Sequence, residues 1–314
     1  MLEHFALLWL VMSGTPSLLY AVCNHIDKLL LEEYFEGELG VLTLLFVSSL
    51  VSVIALPFLW YLSPTSMIPE DWTHIPIFVL VGLLHVALLW FYLTALKGEE
   101  TTTIVVVYSV LPILGLLTSN FFLGEMLLPM QLVAMVVIIV GVLIVSFEKN
   151  GEEGYNFKIK VIFLMSMASL CWALGDVAFK IVALEENVWR SLFWEHITLT
   201  VVGALMYFFV PKIRIQLRQA MKLNSKKILA LNMTSEVLYI IANVVSAFPL
   251  MMVQIATVHL VQAFQPVWVF LIALGLYSLG VKKVKFTLGQ IIQKGTATVI
   301  VVYGMYLLVV HTPT

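Results

Sequence analysis

The apolar residues of this 314-residue chain come in blocks of about twenty, separated by short polar segments. A helix of about twenty apolar residues crosses the ~30 Å of hydrocarbon in a bilayer. Only 11% of the residues are charged, against roughly 25% in soluble domains, which excludes a soluble fold. Because the blocks are continuous rather than alternating, a transmembrane β-barrel is excluded as well. The pattern predicts an all-α integral membrane protein.

Ten blocks are predicted to be transmembrane helices. Several of the connections between them are only a few residues long, which forces consecutive helices to run antiparallel. The N-terminal stretch has no basic region and no small-residue cleavage site, so we predict that it begins the first helix and is not a signal peptide. The predicted spans are 5–31, 39–61, 75–96, 101–123, 129–147, 161–184, 189–210, 228–252, 255–279 and 286–310.

Basic residues lie mainly on one side of this topology. The connections that follow odd-numbered spans hold thirteen Lys and Arg residues, whereas the other side, which includes both termini, holds only Arg190. The positive-inside rule predicts cytoplasmic basic loops and both termini outside, in a cell membrane of the bacterial inner-membrane type. The basic stretch 211–227 is predicted to lie along the anionic inner leaflet as a short basic helix, and nucleic acid is not expected as a partner.

Two patterns occur once in each half of the chain. Aligning Lys28 with Lys180 brings YAVCNHIDK of span one onto WALGDVAFK of span six. Spans four and nine each carry a proline near the middle, Pro112 and Pro266. These matches predict two five-helix units, residues 1–150 and 151–314. Since five is odd, the second unit enters the membrane in the opposite sense, an inverted repeat that is common among transporters.

The two prolines are predicted to kink their helices, because proline removes one backbone hydrogen bond. Paired interruptions in corresponding helices indicate a binding site near the midplane. The alternative is that both prolines only shape helix packing, since proline is frequent in membrane helices.

Residues 91–146 resemble the fourth and fifth spans of an EamA-type carrier of the drug/metabolite transporter superfamily. Membership implies a secondary carrier of small metabolites, with a central cavity lined by spans one to four and six to nine. Two features depart from the family: the second half lacks a counterpart of Glu125, and family members usually keep both termini in the cytoplasm. The matching features are Tyr92, Ala95 and Leu96 before a turn, Pro112, Leu123 to Glu125, Gln131 and Gly141.

Charged side chains inside the predicted spans are candidate functional residues, since a central Asp or Lys costs about 2.5–3.5 kcal/mol to insert. Asn24, Asp27 and Lys28 share one helix face. Asp176 lies four residues before Lys180, so these two could pair within one helix. Such charges form either a structural salt bridge between spans one and six or a switchable set at a cavity. A third reading places both lysines at helix ends, where they reach the interface.

Histidines and glutamates in the later spans are candidates for proton coupling. His85, Glu236 and His259 lie on spans expected to line the cavity, and histidine titrates near physiological pH. Glu195 and His196, nearer a membrane face, are predicted to be gate or anchor residues. The full set predicted to bind substrate is Asn24, Asp27, Lys28, His85, Trp90, Tyr92, Tyr108, Trp172, Asp176, Lys180, Glu236, Tyr239, His259 and Gln262, with helix kinks at Pro112 and Pro266.

Aromatic residues together with mixed acids and bases suit a zwitterionic or amphipathic, amino-acid-like solute. The leading hypothesis is therefore a secondary active transporter that works by alternating access and is coupled to protons. A flippase for a lipid-linked headgroup, with Lys28 and Lys180 binding phosphate, and a channel are the alternatives. The sequence contains no HExxH, GxSxG or GxxxxGK[ST] motif, so we do not predict an enzyme, an ATP-driven pump, a cofactor or a metal site. The expected partners are a small-molecule solute and membrane lipid.

Overall fold

A computed structural model describes residues 2–35, 37, 39–125, 129–150, 154–262, 264–280 and 288–310. Most of these residues are helical, and the other regular elements are a short antiparallel hairpin, β1 (Phe147–Asn150) with β2 (Gly154–Phe157), and a 3₁₀ turn at Trp72–His74. The helices are α1 (Leu2–Glu33), α2 (Gly40–Leu62), α3 (Ile75–Gly98), α4 (Thr101–Tyr108), α5 (Leu111–Leu123), α6 (Pro129–Ser146), α7 (Ile159–Glu185), α8 (Val188–Phe209), α9 (Pro211–Met252), α10 (Ile255–Gln262), α11 (Gln265–Ser278) and α12 (Leu288–Val310).

Six helical segments among the described residues are long and apolar enough to cross a membrane. Large apolar side chains such as Phe58, Phe121 and Val136 are exposed on the outer surface, which suits contact with lipid. The prediction of a helical integral membrane protein is therefore confirmed. The six segments are Gly40–Leu62, Trp72–Gly98, Thr101–Leu123, Ile159–Glu185, Val188–Phe209 and Pro211–Met252, and shorter apolar stretches lie in α6, α11 and α12.

Two of the predicted spans are each divided into two helices. Span four becomes α4 and α5, and Pro112 lies in the first turn of α5. Span nine becomes α10 and α11, with Pro266 in the first turn of α11. Proline is suited to a first turn, where its missing N–H would have no partner inside the helix. Both second segments are followed by a left-handed glycine, Gly124 at φ 68° and Gly280 at φ 67°, a conformation that is strained for other residues.

Two connections differ from the sequence prediction. The basic stretch before span eight is helical and continues into it as α9, with a break at Asn224 (φ −162°, ψ 78°). The Asn224 side chain accepts a hydrogen bond from the backbone N–H of Lys227 at 3.1 Å, and so caps the second part of the helix. The polar linker after span five contains the β-hairpin. The basic connection that holds Lys282, Lys283 and Lys285 lies outside the described residues.

The helices pack in specific pairs: α1 against α9, α3 against α7, α2 against α8 and α6 against α12. The α6–α12 contact is very close. A Cβ added at Gly141 would lie 2.6 Å from Val301 Cγ2, and one added at Gly304 would lie 2.8 Å from Ile138 Cγ1. Glycine at these positions lets the two backbones approach, as is usual where membrane helices meet.

Candidate functional site

Four neighbouring cavities lie between the helix pairs, and we refer to them together as the central chamber. Their volumes are about 450, 470, 500 and 300 Å³. Trp172 and Tyr239 each line three of the four cavities, so adjacent cavities share walls. The lining residues that the structure describes come from α1–α5 and α7–α11 and from the break between α4 and α5, with none from α6 or α12.

Aromatic side chains form the middle of the chamber. The Tyr20 ring lies 5.4 Å from that of Trp172 and 5.2 Å from that of Tyr239, and Tyr108 lies 5.5 Å from Trp172 on the other side. The hydroxyl group of Tyr108 has no hydrogen-bond partner among the described residues, whereas that of Tyr20 interacts with Ser246. Tyr20 was not among the predicted binding residues, although the repeat aligns it with Trp172.

One carboxylate–histidine pair joins α3 to α8. Glu195 Oε1 lies 2.5 Å from His85 Nδ1 and accepts a hydrogen bond from Asn243 of α9 at 3.3 Å. The His85 ring lies 5.4 Å from that of Tyr239. The sequence predicts Glu195 to be a gate or anchor residue near a membrane face, whereas the structure places its carboxylate against His85 in the chamber wall. The signal that was missed is that His85 and Glu195 are complementary groups on spans that pack together.

A second carboxylate–histidine pair joins α7 to α10. Asp176 Oδ2 lies 2.6 Å from His259 Nε2, and His259 is 1% exposed. The other face of the imidazole packs on Gly115 of α5, where an added Cβ would lie 2.4 Å from His259 Nδ1. Glycine is therefore needed at position 115 for this histidine to occupy its place. Gln262 lies one turn further along α10 and lines the same cavity as His259, Pro112 and Pro266.

Asp27 is held by hydroxyl groups. Its carboxylate accepts hydrogen bonds from Ser235 Oγ at 2.9 Å and from the Tyr92 hydroxyl at 3.3 Å, and the same hydroxyl lies 2.7 Å from Asn24 Oδ1. Asp27 separates two cavities, which we name by their walls. The tyrosine cavity is lined by Tyr20, Asn24, Asp27, Tyr92, Tyr108, Trp172 and Tyr239, among others. The serine cavity is lined by Asp27, Ser48, Ser49, Ser52, His85, His196, Ser235 and Glu236, among others.

The lysines do not pair with the neighbouring aspartates, so that prediction is wrong. Lys28 Nζ donates to the carbonyl of Leu96 at 2.9 Å, in the last turn of α3, and lies 3.1 Å from Glu32. Lys180 Nζ donates to the carbonyl of Val253 at 2.9 Å, at the end of α9. Cations bind readily there, because the last carbonyls of a helix have no partner within it and carry its negative dipole end. Neither lysine lines the chamber.

Trp90 is the other predicted binding residue that lies away from the chamber. It is 41% exposed and packs edge-on against the neighbouring Phe91, with ring centroids 4.9 Å apart. The remaining predicted residues lie in the chamber wall. His196 also lines the serine cavity, and its Nδ1 lies 2.8 Å from the carbonyl of Leu192.

A separate polar cluster, which we call the loop clamp, joins the α2–α3 loop to the α7–α8 turn. The Glu186 carboxylate accepts the backbone N–H groups of Glu70 at 2.9 Å and Asp71 at 3.0 Å. It also contacts His74 Nδ1 at 2.8 Å and the Arg190 guanidinium, which donates further to the carbonyl of Ser66. The Glu186 side chain is 0% exposed, so its charge is fully enclosed by these donors.

The clamp shifts the pKa of two groups. Burial alone would raise the pKa of Glu186, but the hydrogen bonds from Glu70, Asp71, His74 and Arg190 outweigh it and lower the pKa to about 2. The hydrogen bond to Glu186 is the main cause of a raised pKa at His74. Both shifts mean that the clamp favours an ionised glutamate facing a protonated histidine.

Comparison with known proteins agrees with this architecture. Residues 9–147 match the EamA-like transporter family. Twenty-eight chains of solved structures resemble the fold. One of these, a crystal structure of a protein with 15% sequence identity, superimposes with a TM-score of 0.60 and covers 96% of both chains, so the likeness in fold extends through both halves. No curated protein sequence matches this one. The match over residues 9–147 supports the resemblance to EamA-type carriers of the drug/metabolite transporter superfamily that the sequence predicts.

Proposed function

We propose that the protein is a secondary active transporter of a small organic solute, working by alternating access of two inverted five-helix units, residues 1–150 and 151–314. The observation that carries the proposal is the symmetry of helix packing around the central chamber. In a repeat of this kind, α1, α2, α3 and α6 of the first unit correspond to α7, α8, α9 and α12 of the second. Replacing each helix by its counterpart converts the α1–α9 contact into the α7–α3 contact and converts the α2–α8 and α6–α12 contacts into themselves. All four contacts are present. An inverted repeat produces this pattern, with a binding site between the units.

The broken helices support a site of this kind. The breaks before Pro112 and Pro266 free backbone groups inside the membrane, which is tolerated where the backbone is buried in protein or faces a wet cavity. Both prolines line the same cavity, together with Gln262 and Gln265. Discontinuous helices at corresponding positions of two repeats are typical of transporter binding sites.

The carboxylate–histidine pairs are our candidates for proton coupling. Each of the two pairs, His85 with Glu195 and His259 with Asp176, can hold or release a proton at a short hydrogen bond. His85 and Glu195 line one cavity together with Tyr239, and His259 lines another together with Trp172. A solute bound in these cavities would therefore change the environment of both pairs. Glu236, in the serine cavity, is the third candidate group.

The charge distribution favours one orientation. Basic residues form ion pairs with glutamates at the C-terminal ends of α1 and α3: Lys227 lies 3.5 Å from Glu33, and Lys158 lies 2.5 Å from Glu99. Lys294 contacts Glu100 in the same region. We propose that this face is cytoplasmic, which puts the loop clamp on the opposite side of the membrane.

The positions of the lysines count against a flippase. A phosphate-bearing headgroup needs basic groups in its cavity. Lys28 and Lys180 are instead bonded to helix-end carbonyls outside the chamber lining. Transport kinetics distinguish a channel from a carrier, because only a carrier shows counterflow of labelled solute against unlabelled solute.

The test is transport by the purified protein in proteoliposomes, with liposomes lacking protein as the control. We expect uptake of a labelled solute to saturate and to be driven by an excess of the unlabelled solute on the other side. Substituting Asp176→Asn should reduce transport strongly, whereas Asp71→Asn, in the exposed loop, should leave it unchanged. Flux that never saturates and shows no counterflow would refute the carrier mechanism.

A further inference from the structure

We infer that the solute carries a protonated amine and an apolar, ring-sized body, and that Asp27 binds the amine. This inference rests on the proposed function, because it names the class of solute that the same chamber takes. This class of solute is narrower than the amino-acid-like solute that the sequence suggests, because neither Lys28 nor Lys180 lines the chamber, where it could bind a solute carboxylate.

The first argument is the charge of the chamber. Four carboxylates line it, those of Asp27, Asp176, Glu195 and Glu236. Among the residues that the structure describes, no Lys or Arg lines any of the four cavities. A solute carboxylate or phosphate would meet repulsion there without a fixed cation to offset it. A solute cation would meet attraction, strengthened by the low dielectric of the membrane interior.

The second argument is that, among the described residues, Asp27 has no basic partner, whereas two other carboxylates of the chamber each have one. Glu195 is bonded to His85 and Asp176 to His259. The hydrogen bonds described for Asp27 come from two hydroxyl groups, those of Ser235 and Tyr92. A carboxylate inside a membrane protein calls for a positive partner, and here that partner is left for the solute to supply.

The third argument comes from buried polar atoms that lack a partner and line the same cavity as Asp27. Among the described residues, the Tyr108 hydroxyl and the NH₂ group of Asn24, which is 7% exposed, have no hydrogen-bond partner, and both residues line this cavity. Buried polar groups are normally hydrogen-bonded, so these atoms point to a bound molecule. The tyrosine oxygen can accept from an ammonium group, and the Asn24 NH₂ group can donate to a neutral oxygen on the solute.

The fourth argument is the aromatic wall. The Tyr20 ring lies 5.4 Å from that of Trp172 and 5.2 Å from that of Tyr239, and all three residues line the tyrosine cavity together with Asp27. Rings of this kind attract a cation over their faces and pack against an apolar body.

The experiment compares solutes that share a body and differ in charge. Binding to the purified full chain is measured by thermal stabilisation for tryptamine, tryptophan, indole-3-propionate and 3-methylindole, and for the matching phenyl and butyl series. We expect the amine of the indole or the phenyl series to bind about tenfold or more tightly than its zwitterionic, anionic and neutral counterparts, and the butyl amine, which has no ring, to bind more weakly than that amine. We expect Asp27→Asn to remove that preference and Asp71→Asn, whose cap Asn preserves, to retain it.

The outcomes separate this inference from the proposed function. An anion or zwitterion that binds as tightly as its amine would overturn the amine assignment, and so would failure of every amine to bind. Saturable counterflow of an acidic solute in the same preparation would leave the carrier mechanism standing while the amine assignment falls. Absence of counterflow for every solute would refute the carrier mechanism itself. If Asp27→Asn does not fold, the comparison among solutes on the unaltered chain still decides the question.

Discussion

Replacing Glu186 with glutamine tests whether the loop clamp stabilises the fold through one enclosed charge. A pKa near 2, against an ordinary value of 4.5, corresponds to about 3 kcal/mol in favour of the ionised form. Glu186 itself is enclosed, but the neighbouring Glu70 and Glu185 side chains are 71% and 61% exposed, so solvent screening at the rim of the clamp reduces this to about 1–2 kcal/mol. Glutamine keeps the shape of the side chain and removes the charge that faces Arg190 and His74.

The assay is thermal unfolding in detergent, followed with a thiol-reactive dye. Both cysteines are free and shielded, Cys23 buried and Cys171 partly buried, so they become reactive as the helices separate. A loss of 1–2 kcal/mol should lower the apparent Tm by about 2–6 °C. The matched control is Glu70→Gln, because Glu70 also contacts Arg190, at 3.1 Å, but is 71% exposed. Exposed pairs contribute about 0–1 kcal/mol, so this control should shift the Tm by no more than about 2 °C.

The dependence on pH supplies a second check. The pKa of Glu186 is lowered, so its contribution is complete above about pH 4.5 and is lost as the pH falls towards 2. The pKa of His74 is raised, so its contribution is complete below pH 6.5 and is lost as the pH rises through the raised value. The unaltered chain should therefore be less stable at pH 8.5 than at pH 6, and Glu186→Gln should weaken that dependence. Equal melting of Glu186→Gln and Glu70→Gln at every pH would refute the reasoning.

Three further predictions concern the chamber and the helix ends. Gly115→Ala should displace His259, lower the stability by about 1–3 kcal/mol through overpacking and reduce transport in proteoliposomes. The control Gly98→Ala should leave stability and transport unchanged, because an added Cβ there meets nothing within 4 Å. Asp176→Asn and His259→Gln should have transport effects that are not additive, since the two side chains form one hydrogen bond; additive effects would show that they act separately. Lys28→Met should lower the apparent Tm by several degrees through loss of the bond to the Leu96 carbonyl, while Trp90→Phe, on the outer surface, should change neither melting nor transport.

Much of the helix arrangement followed from the sequence because membrane burial imposes long apolar blocks and prolines mark their interruptions. The helix breaks before Pro112 and Pro266 follow from the missing backbone N–H of proline, and the turns at Gly124 and Gly280 follow from the positive φ that glycine tolerates. A short basic helix before span eight was predicted, but its continuation into span eight as α9 and the hairpin after α6 were not, since polar segments of that length are compatible with several structures.

The partners of the charged residues could not be predicted because they depend on distant contacts. The spacing of Asp176 and Lys180 permits a pair within one helix, yet Asp176 binds His259, 83 positions away, and Lys180 binds the end of α9. Similarly, Glu195 pairs with His85 across 110 positions. Composition indicates that such charges need partners, while only the packing of helices decides which ones.

The close seam between α6 and α12 has a mechanical consequence. These two helices touch through Gly141 and Gly304, and they contribute none of the described side chains around the solute cavities. The side chains of Val301 and Ile138 lie over the two glycines, so the helices cannot part without losing these contacts and opening an unfilled groove. In the proposed alternating-access mechanism, this seam would stay closed while the helices around the chamber change their tilt.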